Sequence, residues 1–123
     1  MVLLELGQRD EARARFEQGI ERSHAASDRR FEAFWLGELA RLLAHDGAFA
    51  DARTRLEAAE SILRALGDPA FLACILGCRA EVEALAGERD AGEAALLEAA
   101  AIAPRGNHDV DRALSLARRA LGR

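Results

Sequence analysis

The apolar positions of this chain return at a long, regular interval. Ala33, Leu36, Gly37 and Ala40 are spaced so that all four fall on one face of a helix. The set recurs as Ala73, Leu76, Gly77 and Ala80, and again as Ala113, Leu116, Ala117 and Ala120, with 73 − 33 = 40 and 113 − 73 = 40. A second set, Ala12, Phe16 and Gly19, returns as Ala52, Leu56 and Ala59 and then as Gly92, Leu96 and Ala99. Gly7, Gly47 and Gly87 keep the same interval and each opens one of these second stretches. Asp28 and Asp68 stand just before the first set. An aspartate there caps a helix, because its carboxylate accepts the free amide hydrogens of the first turn. Pro69 follows Asp68, at the first helical position, where proline is best tolerated.

The pattern predicts a unit of helix, turn at Gly, helix, turn at Asp. Helices are expected near 8–25, 28–45, 48–66, 69–86, 88–103 and 108–122, with turns around Gly7, Gly47 and Gly87. The fold class is all-α: about six antiparallel helices, stacked as helix–turn–helix repeats into a right-handed α-solenoid. A two-helix unit cannot bury its apolar stripe alone, so neighbours stack and share one core. The large residues Phe16, Leu36, Leu56, Leu76, Leu96 and Leu116 are expected to fill that core, and the small ones to let helices approach. The whole of 1–123 reads as one repeat domain: a half repeat 1–27, repeats 28–67 and 68–105, and a C-terminal capping helix 106–123. Residues 1–6 read as the last turns of a helix that begins earlier, which makes the chain a piece of a longer array.

Composition agrees with helix. Half of the residues are hydrophobic, with Ala and Leu dominant, and only two are proline. The net charge of −4 argues against a nucleic-acid surface, although Arg112, Arg118, Arg119 and Arg123 make the last helix locally basic. No run is long and apolar enough for a membrane span, and the start lacks the features of a signal peptide. Two cysteines make no disulfide framework, so the expected location is the cytoplasm. The charged residues, including Asp51 with Arg55 and Glu60 with Arg64 at helix spacing, read as a solvated outer face.

Leu36 and Gly37, then Gly47 and Phe49, then Ala52, Leu56 and Ala59 resemble the tetratricopeptide repeat pattern. The next unit offers Leu76, Gly77, Gly87, Gly92, Leu96 and Ala99, and the first supplies only its second half. The family period is about 34 residues. The period of 40 here is similar to the longer variant found in repeat regions of large bacterial regulators. The resemblance implies a protein–protein interaction scaffold in such a regulator, with a peptide or protein partner held in a concave groove lined by the first helix of each repeat. Taking Gly37 and Gly77 as references, the groove residues it implies are Phe31, Phe34, Glu38, Arg41, Phe71, Cys74, Cys78 and Glu81. The last helix would add Asp111, Leu114 and Arg118. Some members clamp a C-terminal carboxylate with Lys and Asn; Lys is absent here, so that mode does not carry over.

Two other functions remain open at this stage: a ligand-sensing module that relays to a neighbouring effector domain, and a self-association module. The second rests on the ends of the array, where the face around Phe16 and a stripe of Val110, Leu114 and Leu121 have no following helix to meet. An enzyme is not expected. There is no phosphate-binding glycine loop, no nucleophile elbow and no paired histidines at metal-ligand spacing. No metal or cofactor is called for. Cys74 and Cys78 lie four residues apart on one helix face and read as small apolar side chains. Phe31 and Phe34 are balanced between packing against the neighbouring repeat and facing a partner.

Overall fold

The computed structural model describes residues 6–103 and 106–122. Among the described residues there are six α-helices and no strand: α1 Leu6–Ala25, α2 Arg29–His45, α3 Phe49–Leu66, α4 Pro69–Leu85, α5 Arg89–Ile102 and α6 His108–Ala120. The expected helical turns before residue 6 lie outside the described residues. Gly7, expected in a turn, is the second residue of α1.

The helices form where propensity and caps agree. Asp28 and Asp68 accept hydrogen bonds from the amides of Phe31 (3.3 Å) and Phe71 (3.0 Å), and Asn107 does the same for Val110 (3.1 Å). Four turns share one closure, an amide bonding back five residues to a carbonyl. Asp28 donates to Ser23, Ala48 to Leu43, Asp68 to Leu63 and Glu88 to Glu83, at 2.8, 2.8, 3.2 and 2.8 Å. The donors stand 20 residues apart. The residue before each is left-handed: Ser27, Gly47, Gly67 and Gly87. One helix with its turn is therefore a module of 20 residues, and two modules make the 40-residue period. Glycine suits Gly47 because φ is +83° there. Ser27 holds the equivalent place with a Cβ, at φ +56°.

The core runs through Leu36, Leu39, Leu56, Leu63, Leu76 and Leu96, all buried, with buried alanines between them. α2 packs against α1, α3 and α4, and α4 packs against α2, α3, α5 and α6. The small residues set these approaches. A Cβ on Gly37 would stand 2.5 Å from Ile75 Cδ1, and one on Gly77 would stand 3.3 Å from the Ala113 carbonyl oxygen. Gly19 lies beneath Trp35, whose ring also packs on Phe16 at a centroid distance of 5.9 Å.

Three expectations are corrected. The charged residues are not simply a solvated face. Glu32, Glu81 and Glu83 are buried, and each is engaged by arginine. Arg53 on α3 grips Glu83 on α4 through Nε and Nη2 (2.6–3.3 Å), while Arg79 bonds Glu60 and approaches Glu83 at 3.6 Å. Of the two surface pairs predicted, Glu60 with Arg64 is present at 3.7 Å. Asp51 with Arg55 is not among the ion pairs of the described residues. Second, Val110, Leu114 and Leu121 form no exposed stripe; they are buried. Third, Leu116, expected in the core, is only half-buried.

The last two corrections have one cause. α5 has 14 residues where α3 has 18, and the connection to α6 turns at Gly106. The 20-residue rhythm breaks there. α6 consequently packs with its own amphipathic register, turning Val110 and Leu114 inward.

Candidate functional site

α2, α4 and α6 enclose a groove of about 540 Å³. Its aromatic end is built from the first turns of α2 and α4. The Asp28 and Asp68 caps start these helices so that Phe31 and Phe71 stand side by side, ring centroids 6.3 Å apart and nearly perpendicular. Phe34 meets Phe31 edge-on at 6.3 Å and Trp35 at 5.1 Å. Phe31 is 50% exposed and Phe34 39%, which is unusual for large apolar side chains when a core is available. Phe71 is held from behind by Arg30, whose guanidinium carbon lies 5.8 Å from the ring centroid while Nε bonds Asp68. Burial works against the Asp68 carboxylate, but the Phe71 amide and the Arg30 guanidinium outweigh it and hold its pKa below the usual range.

The middle of the groove is Cys74, Cys78 and Ile75, with Gly77 letting α6 close in. Burial pushes the Cys74 thiol up to about 11, and burial pushes Cys78 up to about 12 against the opposing pull of Arg41. Both are therefore neutral thiols at physiological pH and poor nucleophiles. Among the described residues, no group of three or more His, Cys, Asp or Glu is placed to hold a metal ion.

The far end is charged. Arg41 donates from Nε to both carboxylate oxygens of Glu81 at 3.2 Å, and His45 lies 3.2 Å from the same carboxylate. Glu38 approaches Arg41 more loosely, at 3.6 Å. Burial opposes the charge on Arg41, but Glu81 overcomes it and its pKa is raised.

Eight of the residues singled out from sequence thus line one cavity: Phe31, Phe34, Glu38, Arg41, Phe71, Cys74, Cys78 and Glu81. Three on α6 do not. Leu114 is buried in the core, and Asp111 and Arg118 are exposed away from the cavity. The wall is instead Asp109, Arg112, Ala113 and Leu116. These match 71, 74, 75 and 78 of α4 at an interval of 38 (109 − 71 = 38), whereas the sequence repeat placed the wall at 40. The sequence signals that slip in its turn, where Gly106 and Asn107 stand 39 residues after Gly67 and Asp68 (106 − 67 = 39, 107 − 68 = 39). Comparison with protein-family models, with curated proteins and with solved structures gives no match to this chain.

No helix among the described residues is long and apolar enough to cross a membrane.

Proposed function

We propose that the chain is a tetratricopeptide-type α-solenoid segment of a cytoplasmic regulatory protein, and that it serves as a scaffold holding a peptide or protein segment in the α2–α4–α6 groove. The observation that carries this reading is the exposure of Phe31 and Phe34 beside Phe71 at the mouth of an apolar groove built by three successive alternate helices. Exposed aromatics at a concave surface supply binding energy on contact with a partner and gain little for the isolated fold. The 40-residue period of paired helices, with its regular turns, supports the solenoid, because repeated two-helix units stack against their neighbours. A binding role is favoured over a catalytic one by the state of the groove's polar groups. Arg41 and Glu81 are tied to each other, and the thiols are protonated.

A ligand-sensing role is the second reading. A groove of about 540 Å³ lies within the size range of small-molecule sites.

The test uses peptides selected from a displayed random library on the wild-type chain. Affinity for the selected peptides should fall at least about tenfold on Phe34→Ala, with the far-ultraviolet spectrum unchanged. If no peptide is enriched above a scrambled control, or if binding falls only in step with loss of fold, the groove reading is lost.

A further inference from the structure

The groove's charges are unequally committed, and that asymmetry bears on what fits it. Three carboxylates line it, Glu38, Glu81 and Asp109, against two guanidiniums, Arg41 and Arg112. Glu81 is buried and shared between Arg41 and His45, with the single Nε–H of Arg41 split between both of its oxygens at 3.2 Å. An anionic group entering the groove would meet a guanidinium whose charge Glu81 and Glu38 already balance. Glu38 is in a different position. Its one ion pair among the described residues is the 3.6 Å approach to Arg41, and its side chain remains 29% exposed. Asp109 stands on the opposite wall in the first turn of α6, exposed, close enough to Cys74 that its charge helps hold that thiol protonated. Arg112, a turn further on, offsets one of these charges. The aromatic end already accepts a cation: the chain's own Arg30 sits over Phe71. The faces of Phe31 and Phe34 are exposed beside it.

We propose that the occupant of this groove is a cationic, apolar peptide segment. Its aliphatic side chains would rest on Phe34, Cys74 and Cys78, and its arginine or lysine heads would reach Glu38 and Asp109 and the open aromatic faces. The inference rests on the groove being a peptide site. It adds the sign of the charge that the site selects, in keeping with the chain's net charge of −4.

The experiment measures fluorescence anisotropy with three labelled synthetic peptides of equal length: an amphipathic one of Leu, Ala and Arg, its counterpart with Glu for every Arg, and one of Ser and Arg lacking leucine. The Leu/Arg peptide should bind at least about tenfold more tightly than either of the others, and its affinity should fall with added salt. Glu38→Gln combined with Asp109→Asn should weaken it about three- to tenfold, the effect of losing two partly exposed pairs. Phe34→Ala should weaken it as well, which adventitious attraction to an acidic surface would not produce. Equal or tighter binding of the Leu/Glu peptide, or an unchanged affinity in the double variant, overturns the charge selection. The groove itself survives that result if Phe34→Ala still abolishes binding. No binding of any of the three by the folded wild-type chain overturns the charge proposal, while a peptide of different character enriched from the library would leave the groove standing. An affinity for the Ser/Arg peptide equal to that of the Leu/Arg peptide overturns the apolar half of the proposal.

Discussion

Removing Arg53 should destabilise this protein more than the removal of a half-exposed arginine ordinarily does. Its partner Glu83 is 6% exposed and receives three hydrogen-bonding contacts from it, at 2.6, 3.0 and 3.3 Å. After Arg53→Ala only Arg79 is left nearby, at 3.6 Å and already engaged by Glu60. A buried carboxylate deprived of its donors costs roughly 3–5 kcal/mol when fully enclosed. Here Arg53 is itself 35% exposed, water can enter the space it leaves, and about 2–3 kcal/mol is the expected loss. For a chain of this size that corresponds to a fall in Tm of roughly 6–15 °C. The assay is urea unfolding followed by far-ultraviolet dichroism and by the fluorescence of Trp35, the single tryptophan; coincident curves license a two-state free energy. Arg53→Leu with Glu83→Leu supplies the control. It removes charge and partner together and should be less destabilised than Arg53→Ala, since no unpaired carboxylate remains. A loss under about 0.5 kcal/mol for Arg53→Ala, the range of an ordinary surface pair, would refute the reasoning. So would a double variant less stable than either single one.

Three further outcomes follow from the structure. Leu56→Ala empties a fully buried position and should cost about 2–5 kcal/mol in the same urea titration; a change well under 1 kcal/mol would mean that the core face is wrongly drawn. Ser27→Gly relieves a left-handed Cβ and should stabilise by up to about 1 kcal/mol, the relief of roughly 1–2 kcal/mol being partly offset by the greater freedom of glycine in the unfolded chain. The thiols make stability fall at high pH. Because burial raises their folded-state values, the unfolded chain loses these protons first, and stability held up to about pH 8.5 is lost as pH rises toward about 11 for Cys74 and about 12 for Cys78. Urea midpoints across that range should decline less steeply in Cys74→Ala and Cys78→Ala.

Much of the helix layout was legible because the same small and large residues return every 40 positions and the two aspartate caps announce their helices. The half-period was harder to see. Gly47, Gly67 and Gly87 mark it, but the first turn uses Ser27, and a serine gives no sign that its backbone is left-handed. Buried glutamates were misread for a related reason. Glu83 looks like a solvent-facing residue on a helical wheel, and only the grip of Arg53, 30 residues away, shows that it faces inward paired; Glu81 was placed at the groove, but its burial against Arg41 was not foreseen. On α6 the repeat misled outright. Extending the interval of 40 put Leu114 and Arg118 in the groove, whereas the shorter α5 lets the helix's own apolar stripe decide what turns inward. The eight groove residues on α2 and α4 came through because both helices carry the same register relative to Gly37 and Gly77.

The contact at Gly77 makes the width of the groove adjustable from within its own lining. The Ala113 carbonyl oxygen lies 3.3 Å and its Cβ 3.4 Å from where a Cβ on Gly77 would stand, so α4 and α6 are spaced there by one alanine, main chain and methyl together. An alanine at that position would push the α6 wall outward by a few tenths of an ångström, and a larger residue would push it further. Position 77 therefore works as a shim: one substitution there moves the α6 wall, Asp109 and Arg112 with it, away from the aromatics of α2 and α4, and so retunes the aperture without replacing any aromatic or carboxylate of the site.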